Sequence, residues 1–149
     1  EMSPSAGLGL KPAHYKPALD EQTAGLWFEV HPENYMSAGG PRLAWLDAIR
    51  ANRPVSLHGV GLSLGGLEPP DPTHLQRWKA LLDRYEPVRI SEHLAWSVHS
   101  GTYFPDLLPT PMTRAALNRF CEHVDAMQTA LDRSVLIENP SRYLPLCED

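Results

Sequence analysis

Four stretches of this sequence run apolar or β-branched residues into an imidazole or a carboxylate: Phe28-Glu29-Val30-His31, Leu57-His58, Ser91-Glu92-His93 and Ile137-Glu138-Asn139. They lie far apart along the chain, so only a fold that returns each strand end to one place makes them a unit. Neutral imidazoles and carboxylates are the donors that non-haem iron, manganese and zinc accept. Burying several ionisable groups together is costly unless they pair with one another or hold a metal. His58, His93 and Glu138 close successive strands and are the candidate metal ligands, and a carboxylate such as Glu138 is able to bridge two ions. Glu29, Glu92 and Asn139 are assigned to orienting those ligands. Each residue also has a plainer role: a core histidine bonded to a backbone carbonyl, or a glutamate capping a loop or paired with Arg42, Arg53, Arg84 or Arg89. The plainer roles explain the residues singly and leave their common position at strand ends unexplained.

Other polar residues are weaker candidates. His31 lies in HPENY, where Pro32 favours an extended backbone before it; it either lines the site or fixes the loop, and the loop role is preferred. Asn34 in the same loop, and His99 and Tyr103 in a long segment from about Ser97 to Met112, are candidates for substrate contact, because long loops at such a face often cover substrate. Trp96 fits packing or a lid equally. His14, His74 and His123 are expected to be structural or exposed, and Cys121 to be core. Ser56 and Ser63 flank His58 without completing a Ser-His-Asp arrangement, and there is no P-loop, so no catalytic nucleophile is assigned.

The elements that must position these residues follow from periodicity. Strands are expected at Gly7–Leu10, Leu26–Val30, Val55–His58, Val88–His93 and Ser134–Glu138. Helices are expected at Pro12–Asp20, weakened by Pro17, and at Pro41–Ala51. Another is expected from the Asp71-Pro72 cap and N1 pair up to Pro87. The last is expected from a Thr113 cap through Leu117, Phe120, Cys121, Val124, Met127 and Leu131. HPENYMSAGG and the proline-rich stretch to Met112 are expected to be loops, and residues 1–5 to be disordered. Strands alternating with helices predict right-handed crossovers and a parallel α/β sheet whose strand ends share one face. No GxGxxG follows the first strand, so a dinucleotide fold lacks its fingerprint. Five strands and four helices in about 145 residues is just over half of a (β/α)8 barrel, which needs about 250. The chain ends soon after a strand with no helix to cover it. A single domain forming the N-terminal part of a TIM-type barrel is therefore expected, with further strands to follow; a complete five-stranded open sheet is the alternative. A half barrel would expose sheet edges and apolar faces, so pairing with another copy is expected of this chain in isolation.

The bulk numbers narrow the function classes. The 149 residues are 42% hydrophobic, with a net charge of −5 and no basic run, which argues against a nucleic-acid partner or a polybasic membrane contact. No apolar stretch approaches a membrane span, and the N-terminus lacks a signal-peptide pattern. Cys121 and Cys147 make neither a disulfide framework nor a cysteine metal site. A soluble protein of a reducing compartment, with a cytoplasmic location, is the expectation.

GLGLKPAHY, WFEVHPENYMSAGGP, SLHGVGLSLGG, SEHLAW, GTY followed by DLLP, and IENPS, in that order from Gly7 to about Leu144, resemble the MbnB-like family. The resemblance implies a (β/α)8 barrel with two or three irons at its mouth and an oxidative enzyme that modifies cysteines of ribosomally made peptides. It implies that His58 and His93 are the first two iron-binding histidines and Glu138 the bridging glutamate. Further Asp, His and Glu ligands are implied on later strands, so this chain would supply about half of a multinuclear site and be inactive alone. Phe104-Pro105-Asp106 stands where the family pattern has Asn before the Asp, which places Asp106 among the substrate contacts open to change. Implied partners are a peptide or small precursor protein and a second protein that delivers it. Two other readings stay open: a zinc- or manganese-dependent hydrolase or isomerase of the xylose-isomerase or endonuclease sort, and a non-catalytic peptide-binding scaffold.

Overall fold

The computed structural model describes residues 6–141, 143, 144 and 146. The expectation of disorder at 1–5 and the thiol of Cys147 lie outside the described residues. The strands are β1 (Ala6–Gly9), β2 (Leu26–Val30), β3 (Val55–His58), β4 (Arg89–His93), β5 (Trp96–His99), β6 (Thr102–Leu108) and β7 (Leu136–Glu138). The helices are α1 (Tyr15–Asp20), α2 (Pro41–Arg50), α3 (Pro72–Tyr85) and α4 (Arg114–Leu131), with 3-10 turns at Pro12–His14 and Pro32–Tyr35.

Five strands form one parallel sheet in the order β1-β2-β3-β4-β7. That order matters for function. When each strand is laid beside the previous one by crossovers of one hand, every helix falls on the same face of the sheet. Doubly wound folds reverse direction and cover both faces. The side chains show the one-sided arrangement. Leu26, Phe28, Val30, Val55, Leu57 and Ile90 point into the apolar layer shared with Leu43, Leu46 and Ile49 of α2 and Trp78, Leu81, Leu82 and Tyr85 of α3. Alternation then turns Trp27, Glu29, Ser56, His58, Arg89, Ser91, His93 and Glu138 to the other face. An aromatic, polar and ionisable face opposite a helix-covered apolar one is compatible with part of a TIM-like barrel, whose interior that face would line.

The helices begin where their sequences say. The Asp71 carboxylate accepts from Thr73 N at 3.0 Å and the Thr113 hydroxyl from Ala116 N at 3.2 Å, each occupying an amide that the helix leaves without a partner. Pro17 is tolerated because it falls in the first turn of α1, where an N–H has no helical acceptor. The expected helix over 12–20 accordingly divides into a 3-10 turn and α1.

Two expectations are corrected. The stretch from Ser97 to Met112 is not a loop: β5 and β6 form an antiparallel hairpin, with Val98 opposite Tyr103 and His99 opposite Thr102. Ser100 and Gly101 both take positive φ, 48° and 73°, the pair of left-handed residues that a tight hairpin turn needs. Pro105 is accommodated because the ladder is irregular there, β6 running from Tyr103 to Leu108 against only Val98 to Trp96. Cys121 is exposed, not core. The buried stripe of α4 runs through Ala116, Phe120, His123, Met127 and Leu131, which turns Cys121 and Leu117 outward. No helix among the described residues is long and apolar enough to cross a membrane.

Candidate metal centre

The register of the sheet brings three strand ends together. His58 is aligned with Ser91, and His93 with Glu138; because Ser91 and His93 are two residues apart, all four side chains share the polar face. His58 Nε2 lies 3.2 Å from His93 Nε2 and 3.1 Å from Glu138 Oε2, and His93 Nε2 lies 3.8 Å from the same oxygen. One ligating atom from each residue falls within 4.8 Å of the others.

The hydrogen bonds on the far side of each ring determine what these atoms offer. His93 Nδ1 faces the Gly59 carbonyl at 2.8 Å. A carbonyl only accepts, so Nδ1 carries the hydrogen and a neutral His93 presents a bare lone pair at Nε2. His58 Nδ1 lies 2.7 Å from the Ser91 hydroxyl. Two imidazole nitrogens and a carboxylate oxygen thus aim at one another with, at most, one proton to share. Donors bound at about 2.0–2.1 Å to a common ion sit roughly 3.0–3.4 Å apart; the two separations from His58 Nε2, 3.2 and 3.1 Å, fall in that range, and Glu138 stands somewhat farther from His93, at 3.8 Å. The donor set, two imidazoles whose outer nitrogens are already bonded and one carboxylate, fits a divalent transition metal. His58 and His93 are buried, whereas the Glu138 side chain is 58% exposed, so the centre is open on the Glu138 side.

Burial, and then the neighbouring His93, hold His58 below the usual histidine range. The fold therefore favours the neutral ring, and that contribution is present above pH ~6.5 and lost as pH falls through the depressed value. Glu92 acts in the opposite sense. Its carboxyl, 1% exposed, is pushed by burial up to about 7, so its contribution is present below pH ~4.5 and fades as pH rises through 7. Denaturation of the metal-free protein between pH 7.5 and 5 should show the two partly cancelling. His58→Gln should flatten the acid-side loss, and an unchanged pH profile in that variant would refute the assignment.

The segment after β3 is rigid despite its glycines. Gly59 N donates to Ser91 O at 2.8 Å, Val60 N and Gly61 N to Glu33 Oε1 at 3.1 and 2.9 Å, Leu62 N to Glu92 Oε1 at 3.1 Å, and Gly65 N to Ala95 O at 2.8 Å. The Ser63 hydroxyl accepts from Ser97 N and Val98 N. Gly59 is required by proximity: a Cβ there would lie 2.5 Å from Trp78 Cζ2 and 2.6 Å from Glu92 Oε1. Gly59→Ala should cost about 1–3 kcal/mol by overpacking, read as a lower denaturation midpoint; a neutral substitution would mean that Trp78 moves aside.

The other residues singled out from the sequence are placed variously. Glu92 lies on the helix-facing side, where it also accepts His93 N at 2.7 Å, so it holds the backbone of a ligand and not its ring. Glu29 makes no hydrogen bond to either histidine among the described residues, but its charge raises the basicity of His58. His31 donates Nδ1–H to the His58 carbonyl at 3.0 Å, with its ring 5.9 Å from that of His58; it fixes the loop beside the centre. Asn34 is exposed on the same turn. Tyr103 lines a cleft of about 520 Å³ with Glu33, Gly61 and His74. His99 packs against Trp96 on the hairpin, and Asp106 accepts from Tyr143 Oη at 3.3 Å. Asn139 lines a separate cleft with Leu94, Thr110 and Met112. His123 is structural, donating to the Leu64 carbonyl at 2.9 Å. Sequence reasoning passed over Ser91 and Glu33. Ser91 was accessible from strand alternation, two residues before His93; Glu33 had no such signal, because its partners lie in another loop. Burial raises the Glu33 carboxyl, but His74 and the backbone amides outweigh it and leave it below the ordinary range.

Comparison with known proteins finds relatives along nearly the whole chain. The chain is 68% identical over 145 residues to a UPF0276 protein of Caulobacter vibrioides, an alignment covering 97% of this chain and 52% of the relative. It is 63% identical over 145 residues to a UPF0276 protein of Caulobacter sp. strain K31, with 97% and 52% covered. It is 52% identical over 140 residues to one of Rhizobium meliloti, with 93% and 45% covered. The chain thus spans about half the length of the curated relatives it matches. A family model described as "RiPP precursor modification enzyme MbnB/TglH/ChrH" matches residues 5–149, and with the strand-end histidines and glutamate in register the chain belongs to that family.

Proposed function

We propose that the complete protein is an iron-dependent oxidative enzyme acting on cysteine residues of a ribosomally made peptide, with its metal centre at the C-terminal mouth of a (β/α)8 barrel. The observation that carries this reading is the convergence of His58 Nε2, His93 Nε2 and Glu138 Oε2 at parallel strand ends, in a chain whose family modifies peptide precursors. The sequential strand order and one-sided helix layer support the barrel. Later strands of the complete protein would then close it and add ligands to this half of a two- or three-iron centre.

Bound there, iron supplies an open coordination position, affinity for a soft thiolate, and electrons for reducing dioxygen as the cysteine is oxidised. The chain's own residues do the rest. His93, fixed through Gly59, and His58, fixed through Ser91, present neutral nitrogens. The exposed Glu138 faces the side from which a peptide would approach. The β5–β6 hairpin, with Tyr103 and His99, borders that approach, and the carboxylate-bound segment after His58 keeps the site's wall from yielding to water.

The test is metal analysis of the complete gene product purified without oxygen, followed by incubation of the metal-loaded protein with its peptide in the presence and absence of O₂. Two or more irons per chain, with an O₂-dependent mass change on the peptide cysteine, are expected. Zinc or manganese with O₂-independent turnover would establish the hydrolase or isomerase reading instead. Peptide binding without metal would establish the scaffold.

A further inference from the structure

We propose that Glu33 is a positioning residue for the metal centre, acting on His93 through the peptide bond between Gly59 and Val60. The inference rests on the metal-binding reading of His58, His93 and Glu138 and adds to it a residue that touches none of them.

A trans peptide unit is planar, and its C=O and N–H point in opposite directions. The Gly59–Val60 unit is held at both ends. Its N–H donates to Glu33 Oε1 at 3.1 Å, and its C=O accepts from His93 Nδ1 at 2.8 Å. The carboxylate therefore sets the plane of the carbonyl that fixes the tautomer and tilt of the ring. A charged acceptor on one side of an amide also polarises it, strengthening the carbonyl as an acceptor on the other. The result is the familiar carboxylate–histidine–metal arrangement with a peptide group inserted between carboxylate and imidazole. Gly61 N, 2.9 Å from the same oxygen, and Leu62 N on Glu92 prevent the segment from rotating away. Consecutive amides turned toward one point form an anion-binding concavity, filled here by the protein's own carboxylate. His74 Nε2, 3.7 Å from Glu33 Oε1, supports the carboxylate from α3. No other residue is needed to transmit the effect, since the links are two hydrogen bonds and the rigid plane between them.

The test uses the complete protein with Glu33→Ala and Glu33→Gln. Two quantities are read: the nitrogen chemical shifts of the His93 ring in metal-free protein, and the affinity for ferrous iron added alone under anaerobic conditions. Glu33→Ala should turn His93 from a single Nδ1–H tautomer into a mixture and weaken iron binding by about 10–100-fold, the range for loss of an outer hydrogen-bond partner. Glu33→Gln keeps an acceptor oxygen without the charge. It should restore the tautomer and most of the affinity, leaving a deficit of several-fold. A wild-type tautomer and wild-type iron affinity in Glu33→Ala, even with a lowered melting temperature, would make Glu33 a purely structural loop anchor. Should Glu33→Ala fail to fold, Glu33→Gln decides alone: weaker iron binding at an unchanged melting temperature supports the proposal, and unaltered binding overturns it. If the wild-type protein binds no iron, the metal reading fails by itself, and the tautomer measurement still decides whether Glu33 positions His93.

Discussion

His93→Ala should lose its metal. The substitution removes a lone pair that no neighbouring group replaces, so affinity should fall by more than the roughly 10–100-fold typical of an outer partner. Stoichiometry in the complete protein should drop by at least one ion per chain. The same change empties a buried position, so folding must be measured alongside. His93→Gln is the better-behaved companion, since its amide can still reach the Gly59 carbonyl, 2.8 Å from Nδ1 in the native ring, while offering iron a poorer donor. His58→Ala should behave alike, because His58 Nε2 lies 3.1 Å from Glu138 Oε2 and 3.2 Å from His93 Nε2. Metal content by mass spectrometry decides it. Full occupancy in both alanine variants would place the metal elsewhere and return the two histidines to ordinary buried hydrogen bonding.

The second large effect is on the support beneath the centre. Trp78 is 0% exposed and stands where a Gly59 Cβ would be, close to Glu92. Trp78→Ala should destabilise by about 3–5 kcal/mol through lost burial and the cavity left behind. It should also free Glu92 to shift, and with it the Leu62 and His93 amides that Glu92 holds at 3.1 and 2.7 Å. Trp78→Phe should cost much less: the indole Nε1 has no hydrogen-bond partner, so removing it sacrifices volume but relieves an unsatisfied buried donor. Equilibrium denaturation of the three proteins measures this. Equal losses in the two variants would mean that the indole N–H contributes a bond after all, through water.

These effects depend on two different kinds of information. The metal candidates were legible in the one-dimensional pattern because a parallel sheet is a strong constraint. Once strands alternate with helices, every strand C-terminus lies at one edge, so His58, His93 and Glu138 needed only their positions after apolar runs to be grouped. The parity of a strand then separates Ser91 and His93 from Glu92, which faces the helices although it sits between two residues of the site. The start of α3 at Asp71-Pro72 and of α4 at Thr113 was equally local, because a cap is satisfied within its own turn.

What the sequence could not decide depends on where distant segments return. The hairpin Trp96–Leu108 was missed because its turn, Ser100-Gly101, carries a weak signal and Pro105 argues against a strand; its irregular ladder absorbs the proline. Cys121 was misplaced because the apolar face of α4 is broader than the stripe it buries, and only the neighbouring α3 selects which side goes in. Glu33 looked like a loop residue and became the acceptor for two amides nearly thirty residues away. Local periodicity is thus sufficient to determine the strands of the parallel sheet, the helices between them and which strand ends bring the candidate ligands together, since each is a short-range property of backbone geometry. The tautomer of His93, the rigidity of the glycine-rich segment after His58 and the role of Glu33 were decided by tertiary structure alone, because a hydrogen bond between segments exists only after both have been brought within about 3 Å.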